Sequence, residues 1–250
     1  MNLGHYIKAA RRKLFPQKQF VIYDNSVLPA KHLRFNGPMF ADDAFYLRTS
    51  ESEARRLIDR FRCDKTSRLL EIGCGQGRLA TGLLRLIGPV NYTGLDVHLP
   101  SVNWCRRYIE KTQPSYHFEH LNIGSERYNK GGVKIDHNFK FPVKDQSVDV
   151  IYIWGVFTNL EGEIMKVYLN DLKRMLLPGG KIFFTAFAEE DVPNISVNPE
   201  GYLFKEYTGP LQVVRYEKSY LFSLIAQAGL VVDDFIYGKE FDGQSEFYLS

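Results

Sequence analysis

Leu69-Leu70-Glu71-Ile72-Gly73-Cys74-Gly75-Gln76-Gly77-Arg78 joins a short apolar run to an amphipathic segment through three glycines in five positions. The apolar run predicts a buried strand, and apolar residues three and four apart from Leu79 to Ile87 predict the helix that follows. The chain between them must turn tightly. Glycine permits this because it reaches positive φ and lets a ligand approach the backbone, while the helix start presents N–H groups and a partial positive charge. Strand, glycine turn and helix in that order open a nucleotide-binding α/β sheet.

Outward from this unit, short apolar runs alternate with helical periods, which predicts a mainly parallel sheet with helices on both faces. Strands are expected at 68–72, 92–96, 117–121, 148–153, 181–187, 231–236 and 247–249. Helices are expected at 79–87, 102–111, 165–176 and 220–228, with Pro178-Gly179-Gly180 stopping the third. Only a short turn-like link containing Asp242-Gly243 separates the last two strands, too little for a crossover helix. The final strand is therefore expected to run antiparallel. The fold class is α/β: a doubly wound seven-stranded sheet with a reversed last strand, preceded by a mainly helical N-terminal extension.

That extension spans residues 1–66, leaving 67–250 as the principal domain. Residues 1–34 hold seven Lys or Arg against Asp24 alone, so this segment carries +6 of a chain whose net charge is +3. With no global basic field, nucleic acid is not favoured as a partner. The stretch 1–16 reads as a basic helix, and contact with an anionic membrane surface is a minor reading of it beside a solvated face or an oligomer contact. A second helix is expected from Ser50 to about Arg62, with Ser50 as cap and Glu53 completing a capping box. Phe40, Phe45 and Tyr46 just before it are a candidate lid over the site. A second candidate is the long segment 189–215, read as a substrate-side insertion. At 44% hydrophobic residues and 24% charged, with no apolar run long enough to span a bilayer, the composition is that of a soluble globule. Three cysteines, Cys63, Cys74 and Cys105, without ligand spacing point to a reducing, cytoplasmic setting and to no structural metal.

Arg78 stands where a dinucleotide fingerprint needs its third glycine, and a phosphate loop would need Gly-Lys-Ser or Gly-Lys-Thr. Asp96, nineteen residues after Gly77, ends the second strand, where a carboxylate can accept both hydroxyls of a ribose. The Glu71-to-Arg78 loop with Gly94-Leu95-Asp96 resembles the first two motifs of the class I S-adenosylmethionine (SAM)-dependent methyltransferases. Four further segments follow in that family's order: 117–123, 141–151, 157–160 and 172–181. A finer likeness, in Gly94-Leu95-Asp96-Val97-His98, Trp104-Cys105 and Tyr128-Asn129-Lys130-Gly131, is to bacterial saccharide and secondary-metabolite methyltransferases. The resemblance implies a Rossmann-like fold, SAM as cofactor and S-adenosylhomocysteine (SAH) as product. It places Gly73, Gly75 and Gly77 under the methionine part, Glu71 at the loop or the amino group, and Asp96 on the ribose. Val97 is expected on the adenine, Asn122 and Ile123 at its edge, and Trp154 to Phe157 at the methyl end. Arg78 is expected to meet little but solvent.

The implied reaction is methyl transfer to a small-molecule acceptor, a hydroxyl of a sugar or secondary metabolite, which needs positioning, exclusion of water and removal of a proton. His98, His120, His137, Glu189, Glu190 and Asp191 are candidate bases, and none is assigned. Asn159 stands where relatives commonly carry His. No compact ligand cluster suggests a metal. The competing readings are a cofactor-binding or regulatory module without turnover, and then a protein or nucleic-acid methyltransferase. Oligomeric state is not indicated.

Overall fold

The computed structural model describes residues 18–34 and 37–250. The basic stretch 1–16, with the helix and membrane contact expected of it, lies outside them. The described chain opens with a hairpin, β1 (Phe20–Tyr23) and β2 (Ser26–Pro29), turned by Asp24 and Asn25, both at positive φ. Asp and Asn tolerate that conformation, and two such residues between apolar pairs form the tight turn a hairpin needs. Over its described part the extension adds this hairpin to a mainly helical segment.

Its long helix among the described residues, α1 (Asp43–Phe61), begins seven residues before the expected start. Asp42 is the cap, its carboxylate accepting from the Phe45 N–H at 2.7 Å. Ser50 is interior instead and donates its hydroxyl to the Tyr46 carbonyl. The earlier cap prevails because Tyr46, Leu47, Ser50, Ala54 and Leu57 form one continuous buried stripe. The stripe packs on α2 (Arg78–Leu86), and a Cβ at Gly82 would collide with the Ser50 carbonyl.

The principal sheet joins β3 (Arg68–Ile72), β4 (Asn91–Asp96), β5 (Tyr116–His120), β6 (Val148–Ile153), β7 (Leu176–Glu189), β10 (Val232–Ile236) and β11 (Ser245–Leu249), in the spatial order β10-β11-β7-β6-β3-β4-β5. All neighbours are parallel except β11, which runs against both β7 and β10, as the short link required. Alternate residues of each strand face opposite layers. Leu70, Ile72, Ile151, Ile153, Ile182 and Phe184 pack under α4 (Gly162–Met175) and α5 (Lys218–Gln227). Leu69, Tyr92, Val150, Tyr152 and Phe183 pack under α1, α2 and α3 (Leu99–Cys105), the last extended by a wider turn through Glu110.

Pro178-Gly179-Gly180 does not stop a helix. α4 ends at Met175 and β7 starts at once, with the triplet taken up as an irregularity: pairing passes from Val148–Leu176 to Val150–Lys181. The 189–215 segment is more ordered than a plain loop. Its β8 (Ile195–Val197) pairs with β9 (Val214–Glu217), and β9 extends the end of β7 in parallel.

Candidate active site

A cavity of about 490 Å³ opens at the carboxyl ends of the parallel strands, where a reversal of strand order leaves a crevice in sheets of this kind. The β3–α2 turn forms one wall. Gly73 sits at φ +83°, and a Cβ there would run into the Val156 side chain of the loop after β6. Gly77 has a different task. At φ +72° it starts α2, and a Cβ would come within 2.6 Å of Ile109, so this glycine lets two helices close together behind the site.

Asp96 ends β4 and ties the wall down. One carboxylate oxygen accepts from the Gly75 N–H and the other from the His98 N–H, both at 2.7 Å. Each oxygen keeps a lone pair, so the group still offers two acceptors to a diol. Burial raises its pKa from the usual carboxylate value. Glu71, also buried, is pushed up to about 8 by the same cause and is hydrogen-bonded by the Tyr92 hydroxyl.

Glu71, Gly73, Gly75, Asp96, Val97, Ile123 and Trp154 line the cavity together. Gly77, Asn122 and Phe157 do not. Asn122 is exposed beside an adjoining groove, its side-chain oxygen accepting from Asn129. Phe157 is rolled into the core between Tyr168 and Phe184 because the turn after β6 points it away from the opening.

Arg78 is the clearest departure from expectation. It is 8% exposed, paired with Glu53 of α1, and its guanidinium lies 4.4 Å above the Trp154 ring and 5.0 Å from that of Phe40. A cation between aromatic faces is favourable when desolvated. Despite Arg78, burial pushes the Glu53 carboxyl up to about 7. Tyr46 from the candidate lid lines the cavity, and its buried hydroxyl has no hydrogen-bond partner among the described residues. Gln76 reaches back to the Leu33 carbonyl at 2.6 Å, fastening the N-terminal segment to the glycine turn.

The far half of the cavity comes from the ends of β6 and β7, from the 189–215 segment and from the β10–β11 turn: Leu160, Ile164, Phe187, Leu203, Tyr207 and Val213, with Asp242 and Gln244. None of the candidate bases lines the cavity. His120 lies against the Val97 carbonyl, Glu189 accepts from the Tyr202 and Tyr237 hydroxyls, and Glu190 pairs with Lys218. Asn159 lines it, with its amide donating to the Gly155 carbonyl. Among the described residues, no group of His, Cys, Asp and Glu is arranged to hold a metal, and no helix is long and apolar enough to cross a membrane.

A family model described as a methyltransferase domain matches residues 46–233. The chain is 30% identical over 131 residues to a fatty-acid O-methyltransferase of Mycolicibacterium smegmatis, a match covering 50% of this chain and 39% of that protein. It is 30% identical over 117 residues to a probable phthiotriol/phenolphthiotriol dimycocerosates methyltransferase of Mycobacterium ulcerans, covering 45% and 36% respectively. The matches thus span under two fifths of these relatives' length. Among solved structures, the glycopeptide N-methyltransferase MtfA complexed with sinefungin superposes with a TM-score of 0.56 at 15% identity, covering 80% of this chain and 86% of that one.

Proposed function

The chain belongs to the methyltransferase-domain family, and from that premise we propose that it transfers a methyl group from SAM to a hydroxyl oxygen of a small-molecule acceptor. One observation carries the cofactor half of this reading. Asp96 presents two acceptors on one side of the glycine turn, and Tyr46, whose buried hydroxyl has no partner among the described residues, lines the same cavity. A buried polar group left unpaired is costly, and a bound carboxylate or amine would relieve that cost.

SAM fits the residues present. Asp96 would hold the ribose, Val97 and Ile123 would flank the adenine, and the Gly73–Gly75 turn would run beneath the methionine part. Tyr46 and Arg78 would meet its carboxylate, and Glu71 its amino group. The sulfonium supplies an electrophilic methyl, so the protein's own work is to align an oxygen with it, exclude water and accept a proton. Trp154, stacked on Phe241 and capped by Arg78, walls the cavity where the two halves meet. Tyr46, Leu203 and Tyr207 reach it from the two candidate lids.

The acceptors named for two relatives, a fatty acid and dimycocerosates, support a small molecule, and a further relative named as a tRNA cytidine methyltransferase makes RNA the reading to be separated from it. Incubation with methyl-labelled SAM and fractionated cell extract tests the assignment. Label is expected in organic-soluble small molecules. Label confined to protein or RNA would contradict it, and saturable cofactor binding with no transfer to any fraction would favour the module without turnover.

A further inference from the structure

We propose, resting on the methyltransferase reading, that the acceptor has an apolar body bearing a single reactive hydroxyl, and that Asp242 is the base receiving its proton. The wall chemistry carries the first part. Leu160, Ile164, Phe187, Leu203 and Val213 give the acceptor half an apolar wall beside Lys205 and Gln212, and several of its other polar groups already bond within the protein. The Tyr207 hydroxyl donates to the Tyr202 carbonyl at 2.9 Å, and Thr158 donates to the Gly155 carbonyl at 2.9 Å. Asn159 donates to that same carbonyl and to the Thr158 hydroxyl, and accepts from Arg127. A sugar bound here would set hydroxyls against the carbon surface of Leu160, Ile164, Phe187, Leu203 and Val213, a cost that a hydrocarbon chain or aromatic ring avoids.

The second part rests on a directed chain of hydrogen bonds. The Gly155 N–H donates to the Thr185 hydroxyl at 2.9 Å, Thr185 donates to the Gln244 side-chain oxygen at 2.5 Å, and the Gln244 amide donates to the Asp242 carboxylate at 2.6 Å. Thr185 is fully buried and Gln244 is 3% exposed, so both are fixed by their surroundings. They are positioning residues that aim a carboxylate into the cavity from the β10–β11 turn. Among the described residues three carboxylates line the cavity; Glu71 and Asp96 belong to the cofactor half and Asp242 to the acceptor side. As the acceptor oxygen forms its bond to the methyl carbon, the carbon–sulfur bond breaks and its electron pair stays on sulfur. The hydroxyl becomes acidic as that bond forms, so an ordinary carboxylate suffices to take the proton.

The test uses methyl-tritiated SAM with 1-dodecanol, 4-octylphenol and methyl glucoside. Labelled ethers of the first two are expected, with none of the sugar. Asp242→Asn should lower kcat about a hundredfold or more, while the KM of the probe and the calorimetric affinity for SAM hold within about twofold. Leu203→Ser should instead raise the KM of both apolar probes about tenfold at unchanged kcat. Preferential methylation of the glucoside, wild-type kcat in Asp242→Asn, or no transfer to either apolar probe by protein that binds SAM would each overturn the proposal. Failure of the wild type to bind SAM would overturn the methyltransferase reading along with it.

Discussion

Tyr46 and Glu71 are buried polar groups whose behaviour depends on whether a ligand is present. The Tyr46 hydroxyl has no partner among the described residues, so Tyr46→Phe should leave the ligand-free protein as stable or stabilise it by about 1 kcal/mol, because an unsatisfied group is removed. The same change should weaken SAM binding several-fold. Thermal unfolding with and without SAM reads both, and a loss of ligand-free stability with unchanged affinity would refute the role. Burial raises the Glu71 and Glu53 carboxyls to about 8 and about 7 from a usual 4.5. A raised carboxyl pKa contributes stability that is full below the unfolded-state value and is lost as pH rises through the folded one. Ligand-free stability should therefore fall between about pH 4.5 and 8, by at most about 1.4 kcal/mol per pH unit for each group. Glu71→Gln should flatten that slope in denaturant titrations at pH 5, 6.5 and 8, and an unchanged slope would contradict the assignment.

Between elements, charge joins aromatic packing, Phe45 on Phe241 and Phe61 on Tyr248, in tying α1 to the C-terminal hairpin. Arg56 reaches Glu240 and Glu246 on one side and the Tyr152 hydroxyl on another, with its guanidinium 4.5 Å from the Phe183 ring. All three charged side chains are largely buried. Removing one member of such a group leaves uncompensated charge, so Arg56→Ala should cost about 3–5 kcal/mol by chemical denaturation. A loss under about 1 kcal/mol would mean that the network is solvated and weak. The hairpin carries Asp242 and Gln244, so its attachment to α1 sets the acceptor side of the cavity. α1 also supplies Tyr46 to the opposite wall and Glu53 as the partner of Arg78 there. A single helix thus braces both halves of the site.

For the molecule as a whole, what was legible in the sequence is what is local. Parallel strands buried on both faces read as continuous apolar runs, the glycine turn and Asp96 lie within one βαβ unit, and the short Asp242-Gly243 link left the last strand no way to run parallel. The Asp24-Asn25 turn is equally local, two residues tolerant of positive φ between apolar pairs. Contacts made across the fold left no such trace. Arg78 looks like a solvated helix start until α1 brings Glu53 and the loop after β6 brings Trp154. Thr185, Gln244 and Asp242 become a chain only when β11 docks antiparallel on β7. Phe157 follows Trp154 closely in sequence, but one turn of backbone carries it into the core. The central claim, a SAM site built on the Gly73–Gly75 turn and Asp96, is tested most directly by calorimetric titration of SAM and SAH into wild type and Asp96→Ala. Saturable binding by the wild type that weakens tenfold or more in the variant, about 1.4 kcal/mol or above, is the predicted result. Equal affinity in the two proteins, or no binding by folded wild type, would contradict it.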